Sequence, residues 1–83
     1  MSFCIYILYS ISLDQFYVGH TSELNERLYR HNNSGSKSTK KANDWKLVYT
    51  EMYESRGLAS RRELEIKKKK SRKYIEWLIS SVG

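Results

Sequence analysis

A chain of 83 residues with 40% apolar and 13% aromatic side chains can bury one modest core, which excludes a second independent core and argues against global disorder. Its single cysteine excludes an intrachain disulfide and a four-thiolate zinc site. Fifteen Lys and Arg against nine Asp and Glu give a net charge of +6. This charge favours a polyanionic partner such as nucleic acid, although an ordinary solvated basic surface would have the same charge.

The sequence has no feature that would carry the chain into or across a membrane. The longest apolar run near the N-terminus, residues 3–9, has the length of a strand and is far shorter than the ~20 residues of a transmembrane helix. The N-terminus lacks the basic stretch, apolar segment and cleavage site of a secretory signal. We therefore expect a cytoplasmic protein without a membrane partner, in which Cys4 is a reduced and buried side chain.

The first 20 residues predict a β-hairpin. Residues 3–9 are apolar on both faces of an extended chain, which predicts a central strand covered on both sides. Residues 10–15 form a polar connection of hairpin length that turns around Leu13 and Asp14, and residues 16–20 form the return strand. On such a hairpin Tyr6 and Tyr17 are expected to be near diagonal neighbours. Gly19 in that strand would permit a close approach by its neighbours.

A helix is predicted directly after the hairpin. Thr21 or Ser22 can cap its N-terminus, and Leu24 and Leu28 form its buried stripe. The helix should end near residues 33–35, where Asn, Ser and Gly follow one another.

The second half of the chain predicts one strand and two helices. Residues 34–44 are rich in Ser, Lys and Asn, which is typical of a mobile basic loop, and residues 45–53 have strand composition. Ser55 and Ser71 can cap two helices. The buried stripe of the first of these helices should contain Leu58, Arg62 and Ile66, with Ala59 and Glu63 beside it, and that of the second Tyr74, Ile75, Leu78 and Ile79. The order β-β-α-β-α-α predicts a single α+β domain over residues 1–83, with a three-stranded antiparallel sheet flanked by helices.

Four short motifs occur in the order of a known family. They are Cys4-Ile5-Tyr6, Tyr17-Val18-Gly19 followed by Thr21, Arg27 with His31-Asn32, and the segment from Ala59 to Lys67 that reads Ala-x-x-Arg-Glu-x-x-Ile-Lys. Together they cover nearly the whole chain. The chain resembles the GIY-YIG nuclease domains of the small stand-alone bacterial type, which are related to the N-terminal domain of the excinuclease C subunit.

The resemblance implies a catalytic set, which consists of Tyr6, Tyr17, Arg27, His31 and Glu63. It implies that Glu63 binds one divalent metal ion, Mg²⁺ or Mn²⁺, and that the tyrosines and the arginine surround the scissile phosphate and the attacking water. These roles suit the side chains: one carboxylate oxygen can hold Mg²⁺ while the ion keeps most of its waters, and a guanidinium can bind two phosphate oxygens at once. A tyrosine, with a pKa of about 10 in water, acts as a base only where a nearby cation favours its phenolate.

Each member of this set has an ordinary structural alternative. Tyr6 and Tyr17 could be packing aromatics of the strands. Arg27 could pair with Glu23 one turn earlier, and His31 could interact with the carbonyl end of its helix.

Glu63 also has a structural alternative, since it can pair with Lys67 one turn later, as Glu65 can with Lys69. We prefer Glu63 as the metal ligand because it lies next to the stripe that contains Ile66, whereas Glu65 lies farther from it.

The chain departs from the family pattern in two places. Cys4 replaces the first glycine, which is a mild change because a strand position rarely requires glycine. No asparagine follows Asn43, whereas larger relatives carry one on the last helical segment; the small bacterial subgroup commonly lacks it. His20 follows the second motif directly, but the family varies at this position, so His20 is left out of the predicted set.

The leading functional hypothesis is a metal-dependent endonuclease acting on DNA, with structured or damaged DNA in repair or recombination as one expected substrate. Two alternatives stay open, a catalytically silent nucleic-acid-binding module with the same fold and an RNA-binding accessory protein. DNA is the expected partner, RNA is a second option, and a protein partner could supply specificity. The predicted nucleic-acid-binding residues are Lys37, Lys40, Lys41, Arg61, Arg62, Lys67 and Lys70.

Overall fold

The computed structural model describes residues 2–33 and 41–81. The elements are, in chain order, β1 (Phe3–Ser10), β2 (Gln15–Thr21), α1 (Leu24–Asn33), β3 (Trp45–Tyr53), α2 (Arg56–Lys69) and α3 (Arg72–Ser81). The predicted order β-β-α-β-α-α and the α+β class are therefore confirmed. The predicted mobile loop lies mostly outside the described residues.

β1 is the central strand of an antiparallel sheet with the order β2-β1-β3. The five residues from Cys4 to Leu8 are all buried, as expected for a strand that is apolar on both faces. Burial raises the pKa of the Cys4 thiol, which agrees with an inert side chain.

The two faces of the sheet contact different helices. On one face, Ile5, Ile7 and Val18 pack against Ala59 and Ile66 of α2, and Leu78 of α3 joins the same cluster. On the other face, a second cluster includes Tyr6, Leu8 and Trp45, against which Leu24 and Leu28 of α1 pack. The sheet is thus a middle layer between α1 and the α2–α3 pair.

The helix starts are close to the predicted ones. The Ser55 hydroxyl accepts a hydrogen bond from the Leu58 amide at 3.2 Å, and the Ser71 hydroxyl accepts one from the Tyr74 amide at 3.2 Å. α1 begins later than predicted, because the Thr21 hydroxyl accepts from the amide of Glu23 at 3.0 Å and so stabilises a turn before the helix.

The predicted stripe of α2 is rotated from the observed one. Ala59 and Ile66 are fully buried, whereas Leu58 is 45% exposed. The reason is a polar contact across the molecule: Arg62 binds both carboxylate oxygens of Glu51 on β3, at 2.9 and 3.1 Å. This pairing turns α2 so that its smallest apolar residue faces the sheet.

Glu51 also accepts hydrogen bonds from two tyrosines of its own strand. Tyr49 and Tyr53, which flank it on the same face, both donate their hydroxyls to its carboxylate. Burial opposes ionisation of Glu51, but the hydrogen bonds from Arg62 and the two tyrosines hold the pKa of this carboxyl below its ordinary value. The network joins β3 to α2, so Tyr49 and Tyr53 have a structural role.

Within residues 2–33 and 41–81, no helix has both the length and the apolar character needed to span a membrane.

Candidate active site

The hairpin register brings two tyrosines together over a glycine. Tyr6 of β1 lies directly opposite Gly19 of β2, and Tyr17 lies two residues from Gly19 on the same face. The ring centres of Tyr6 and Tyr17 are 6.3 Å apart, which confirms that the two residues are diagonal neighbours. A Cβ atom on Gly19 would lie 2.6 Å from the Tyr6 hydroxyl oxygen and 3.1 Å from the Tyr17 ring. Gly19 is therefore required by the position of the Tyr6 side chain.

His31 of α1 contacts both tyrosines and completes this cluster. Its Nε2 atom is hydrogen-bonded to the Tyr6 hydroxyl at 2.9 Å, with the donor set by the imidazole tautomer. Its ring centre is 4.8 Å from that of Tyr17. Tyr6 is 2% exposed and His31 is 4% exposed, so the contact is shielded from water.

Burial keeps both partners of this contact neutral. It raises the pKa of Tyr6, and nearby Tyr17 adds to the effect, while the Arg27 charge opposes it. Burial also lowers the pKa of His31, and the Arg27 charge lowers it further. At neutral pH the Tyr6 phenol therefore stays protonated and the His31 imidazole stays uncharged. This environment does not favour a Tyr6 phenolate.

Arg27 lies on the same helix as His31 but is exposed to solvent. Its effect on the pKa of Tyr6 and of His31 shows that its charge acts on this cluster. The ion pair of α1 at a spacing of four residues joins Glu26 to Arg30 at 3.3 Å. Arg27 is thus an exposed cation close enough to the cluster for its charge to act on Tyr6 and His31.

Asn32 holds the end of α1 in place. Its side-chain amide donates to the Trp45 carbonyl at 2.9 Å, and its side-chain oxygen accepts from the Trp45 amide at 2.7 Å. These two bonds imitate a strand pairing and join the last turn of α1 to the first residue of β3. They fix the position of the neighbouring His31.

Glu63 of α2 lies at the other side of β2. Its Oε1 atom accepts a hydrogen bond from His20 Nδ1 at 2.6 Å, and its Oε2 atom accepts one from Lys67 Nζ at 2.6 Å. The Glu63 side chain is 15% exposed and that of His20 is 25% exposed. The carboxylate is thus oriented by two groups and still reachable from solvent.

Lys67 links the two halves of the site. Its ammonium lies 5.9 Å from the centre of the Tyr17 ring, besides contacting Glu63. The Glu63 charge also contributes to the raised pKa of Tyr6. The candidate site therefore runs around the free edge of β2, with the aromatic cluster on the α1 side and the carboxylate on the α2 side.

The side chains of the site suit a metal ion that is bound partly by the protein and partly by the substrate. Among the described residues, no group of three or more His, Cys, Asp and Glu side chains could bind a metal by itself. Mg²⁺ is commonly bound by one or two carboxylates together with waters and substrate phosphates. Each Glu63 oxygen has a second lone pair besides the one used by His20 or Lys67. Glu63 therefore suits such an ion as a single protein ligand.

The predicted nucleic-acid-binding residues fall into three groups. Lys37 and Lys40 lie outside the described residues. Arg62 is bound to Glu51 and only 20% of its side chain is exposed, so we leave it out of the proposed surface. The remaining residues are exposed to solvent: Lys41, Arg61, Lys67 and Lys70.

Two residues of the site were missed in the sequence. His20 is absent from the predicted set, although the alternation of β2 places it on the same face as Val18, towards α2. Asn32 belongs to one of the motifs, but the sequence assigns it no role. Its contact with Trp45 depends on how the chain closes between α1 and β3, and no local pattern reports that.

A family model for the GIY-YIG catalytic domain matches residues 2–75. The chain belongs to the GIY-YIG family. Membership implies a nuclease-type function. The matched range contains all the residues of the candidate site described above.

Bacterial UPF0213 proteins are similar to this chain. UPF0213 proteins of Staphylococcus aureus strains Mu50 and N315 are each 44% identical to the chain over 52 residues. The match covers 61% of the chain, and the chain spans only 63% of these relatives. A solution NMR structure of the UPF0213 protein BH0048 from Bacillus halodurans is 32% identical, with a TM-score of 0.60 over 96% of this chain and 84% of that one.

Proposed function

We propose that this GIY-YIG domain is a metal-dependent endonuclease that hydrolyses phosphodiester bonds in DNA. The observation that carries the proposal is the convergence of Tyr6, Tyr17 and His31 over Gly19, with Glu63 close by across the edge of β2. Structured or damaged DNA, in repair or recombination, is the substrate setting that the relation to the excinuclease C domain suggests.

Arg27 and Lys67 neutralise the phosphate in this proposal. Hydrolysis builds negative charge on the phosphoryl oxygens, and preorganised cations stabilise that charge more strongly in the transition state than in the ground state. Arg27 is exposed and its charge acts on Tyr6 and His31, and Lys67 is half-exposed between Tyr17 and Glu63. A phosphate over Tyr17 would thus lie between two positive charges.

Glu63 is the proposed ligand of the metal ion, Mg²⁺ or Mn²⁺. When bound, the ion would supply Lewis-acid stabilisation of the phosphate and a lowered pKa for an attacking water. The protein's contribution is orientation, because the hydrogen bonds from His20 and Lys67 fix the direction in which the carboxylate points.

Tyr17 is the tyrosine that we assign to the attacking water. It is half-buried rather than fully buried, and it lies between the neutral His31 ring and the Lys67 ammonium. Its hydroxyl can orient a water by hydrogen bonding. Tyr6 and His31 form the neutral support behind it, since the Tyr6 hydroxyl is already bonded to His31.

The test is a cleavage assay with and without divalent metal. Purified protein is incubated with plasmid and with branched, nicked and flapped DNA in Mg²⁺, in Mn²⁺ and in EDTA. We expect cleavage only with metal, and we expect Glu63→Ala to abolish cleavage while binding to DNA is retained or strengthened, because a negative charge has been removed from a basic surface. Glu65→Ala, an exposed carboxylate on the same helix, is the matched control and should cleave normally.

A silent nucleic-acid-binding module is the second candidate. It is favoured by the two ion pairs of Glu63, which would let this carboxylate serve only to hold His20 and Lys67. The two candidates differ in the same assay. Binding to DNA without cleavage of any substrate in either metal would select the silent module, and a Glu65→Ala variant that is dead while Glu63→Ala cuts would refute the assignment of the metal ligand.

A further inference from the structure

An open groove of about 530 Å³ runs along β2 where α2 gives way to α3. Its floor is apolar and its rim is basic. The floor residues are Phe16, Val18, Ile66 and Ile75, and the rim cations are Lys67, Lys70 and Arg72. A volume of this size lies in the range of sites that hold a small organic ligand.

The groove is continuous with the candidate active site. Tyr17 and Lys67 line the groove and also belong to the site, where the Lys67 ammonium lies over the Tyr17 ring and contacts Glu63. A strand whose phosphate lies at Tyr17 would therefore have its next nucleotide at the groove entrance.

Contacts between the hairpin and α3 form the far wall of the groove before any ligand binds. Arg72 donates to the Asp14 carboxylate at 2.6 Å and to the Asp14 carbonyl at 3.1 Å, and its guanidinium lies 5.2 Å from the centre of the Phe16 ring. The Asp14 carboxylate neutralises the charge of Arg72, so the Arg72 side chain serves as part of the groove wall. Lys70 lies at the end of α2 in the left-handed conformation, with φ 47°, and its side chain is exposed.

We propose that this groove binds one unpaired nucleotide of the substrate strand next to the scissile phosphate. The base would lie on the apolar floor beside Phe16, and Lys70 and Lys67 would contact the flanking phosphates. A nucleotide needs both surfaces at once, an apolar face for the base and cations for the backbone. The proposal rests on the proposed function only in taking nucleic acid as the ligand.

The composition of the rim favours a nucleic-acid strand over an apolar peptide. The acidic side chain on the rim, Asp14, is neutralised by Arg72, whereas Lys67 and Lys70 reach solvent. A base held in a duplex must be unpaired and unstacked before it can enter such a groove, and this costs binding energy. The protein should therefore prefer substrates whose bases are already unpaired beside the cut.

Binding without cleavage tests the preference. Wild-type protein in EDTA is titrated by fluorescence anisotropy against one labelled sequence in three forms: a single strand, a blunt duplex and a duplex with an overhang. We expect the single strand and the overhang to bind about tenfold or more tightly than the blunt duplex at physiological salt, because unpaired bases supply stacking that a duplex does not.

A pair of lysine variants tests the location. Lys70→Glu removes a groove cation, and Lys46→Glu makes the same charge change at an exposed position of β3, on the opposite edge of the sheet. Lys70→Glu should weaken single-strand binding by about tenfold more than Lys46→Glu, while both variants weaken duplex binding to a similar degree.

Two results would contradict the proposal that the groove binds an unpaired nucleotide. They are equal affinity for the single strand and the blunt duplex, and equal losses of single-strand binding in the two lysine variants. Failure of the nuclease proposal would look different. If the protein binds single strands through Lys70 but never cleaves, the groove proposal is supported and the nuclease proposal is refuted. If it cleaves without preferring unpaired DNA, the nuclease proposal is supported and the groove proposal is refuted.

Discussion

The absence of one side chain at Gly19 is what allows the Tyr6 ring to lie across β2 and reach His31. The φ angle is not the reason for glycine here, because the described glycines have no positive φ. The constraint is steric: any Cβ would enter the space of the Tyr6 hydroxyl, which is buried and hydrogen-bonded. The same residue therefore controls both the packing of the sheet and the geometry of the site.

Gly19→Ala should consequently damage activity more than stability. The new Cβ must displace the Tyr6 ring, which we expect to cost about 1–3 kcal/mol of unfolding free energy, as overpacking does. Loss of alignment between the tyrosines and His31 should lower kcat by about 100-fold or more. Denaturant unfolding and cleavage kinetics measure the two effects.

Gly57→Ala is the matched control for this change. Gly57 lies in the first turn of α2, and its added Cβ would meet only the Ser55 hydroxyl, at 3.9 Å. The variant should be unchanged in activity and equally or slightly more stable, by about 0.5–1 kcal/mol. Wild-type activity in Gly19→Ala would show that the position of Tyr6 does not matter for cleavage.

A variant that lacks only the Tyr17 hydroxyl distinguishes a catalytic role of this residue from a packing role. Tyr17→Phe keeps the ring contacts with His31 and Lys67 and removes only the hydroxyl, so the melting temperature should stay the same. Activity should fall by about 100-fold or more if this hydroxyl orients the attacking water. Tyr53→Phe is the control, since its hydroxyl serves Glu51, and it should lose about 1 kcal/mol of stability and no activity.

A further variant decides between the tyrosines and His31. Tyr6→Phe removes one hydrogen bond between two buried side chains and should destabilise the fold by about 1 kcal/mol, besides lowering activity. If Tyr6→Phe and Tyr17→Phe both cleave at the wild-type rate, the tyrosines are not part of the chemistry and His31 becomes the better candidate base.

Among the elements, α2 has the most roles, because it positions Glu63 beside β2 and its Arg62 holds the helix against β3. Arg62→Ala should leave the Glu51 carboxylate facing two tyrosines without its cation, and we expect a loss of about 2–4 kcal/mol of unfolding free energy. Arg30→Ala breaks an exposed pair on α1 and should cost about 0.5 kcal/mol or less. Thermal or denaturant unfolding compares the two, and equal losses would mean that the Glu51 network does not stabilise α2.

The same helix shows what could and could not be predicted from the sequence. The strands and the diagonal placement of Tyr6 and Tyr17 followed from local alternation and from the length of the hairpin, which fix the register. The buried stripe of α2 could not be predicted from local alternation, because the pairing of Arg62 with Glu51, eleven residues earlier, sets the rotation of the helix. The contact of His20 with Glu63 depends on the same docking, so it was beyond any pattern within one element.

At the scale of the whole molecule, net charge and the site act on the same partner. The chain carries 15 Lys and Arg against nine Asp and Glu. Several acidic groups are already neutralised within the fold, among them Asp14 by Arg72 and Glu51 by Arg62. Near the site, Arg27 and Lys70 are exposed cations that form no ion pair with another described residue, and Lys67, which pairs with Glu63, is half-exposed, so these side chains can meet a polyanion.

Binding to DNA should be strongly salt-dependent as a result. Each phosphate neutralised on a duplex contributes about −0.9 to the slope of log K against log salt concentration, so three or four contacts predict a slope of about −3 to −4. Anisotropy titrations between low and physiological salt measure this slope. With single-stranded DNA, where each phosphate contact contributes about −0.7, Lys70→Gln should make the slope shallower by about 0.7 if Lys70 contacts a phosphate, whereas Lys46→Gln, on the far edge of the sheet, should leave it unchanged. An affinity that hardly varies with salt would mean that base contacts or apolar burial, rather than the basic surface around β2, hold the nucleic acid.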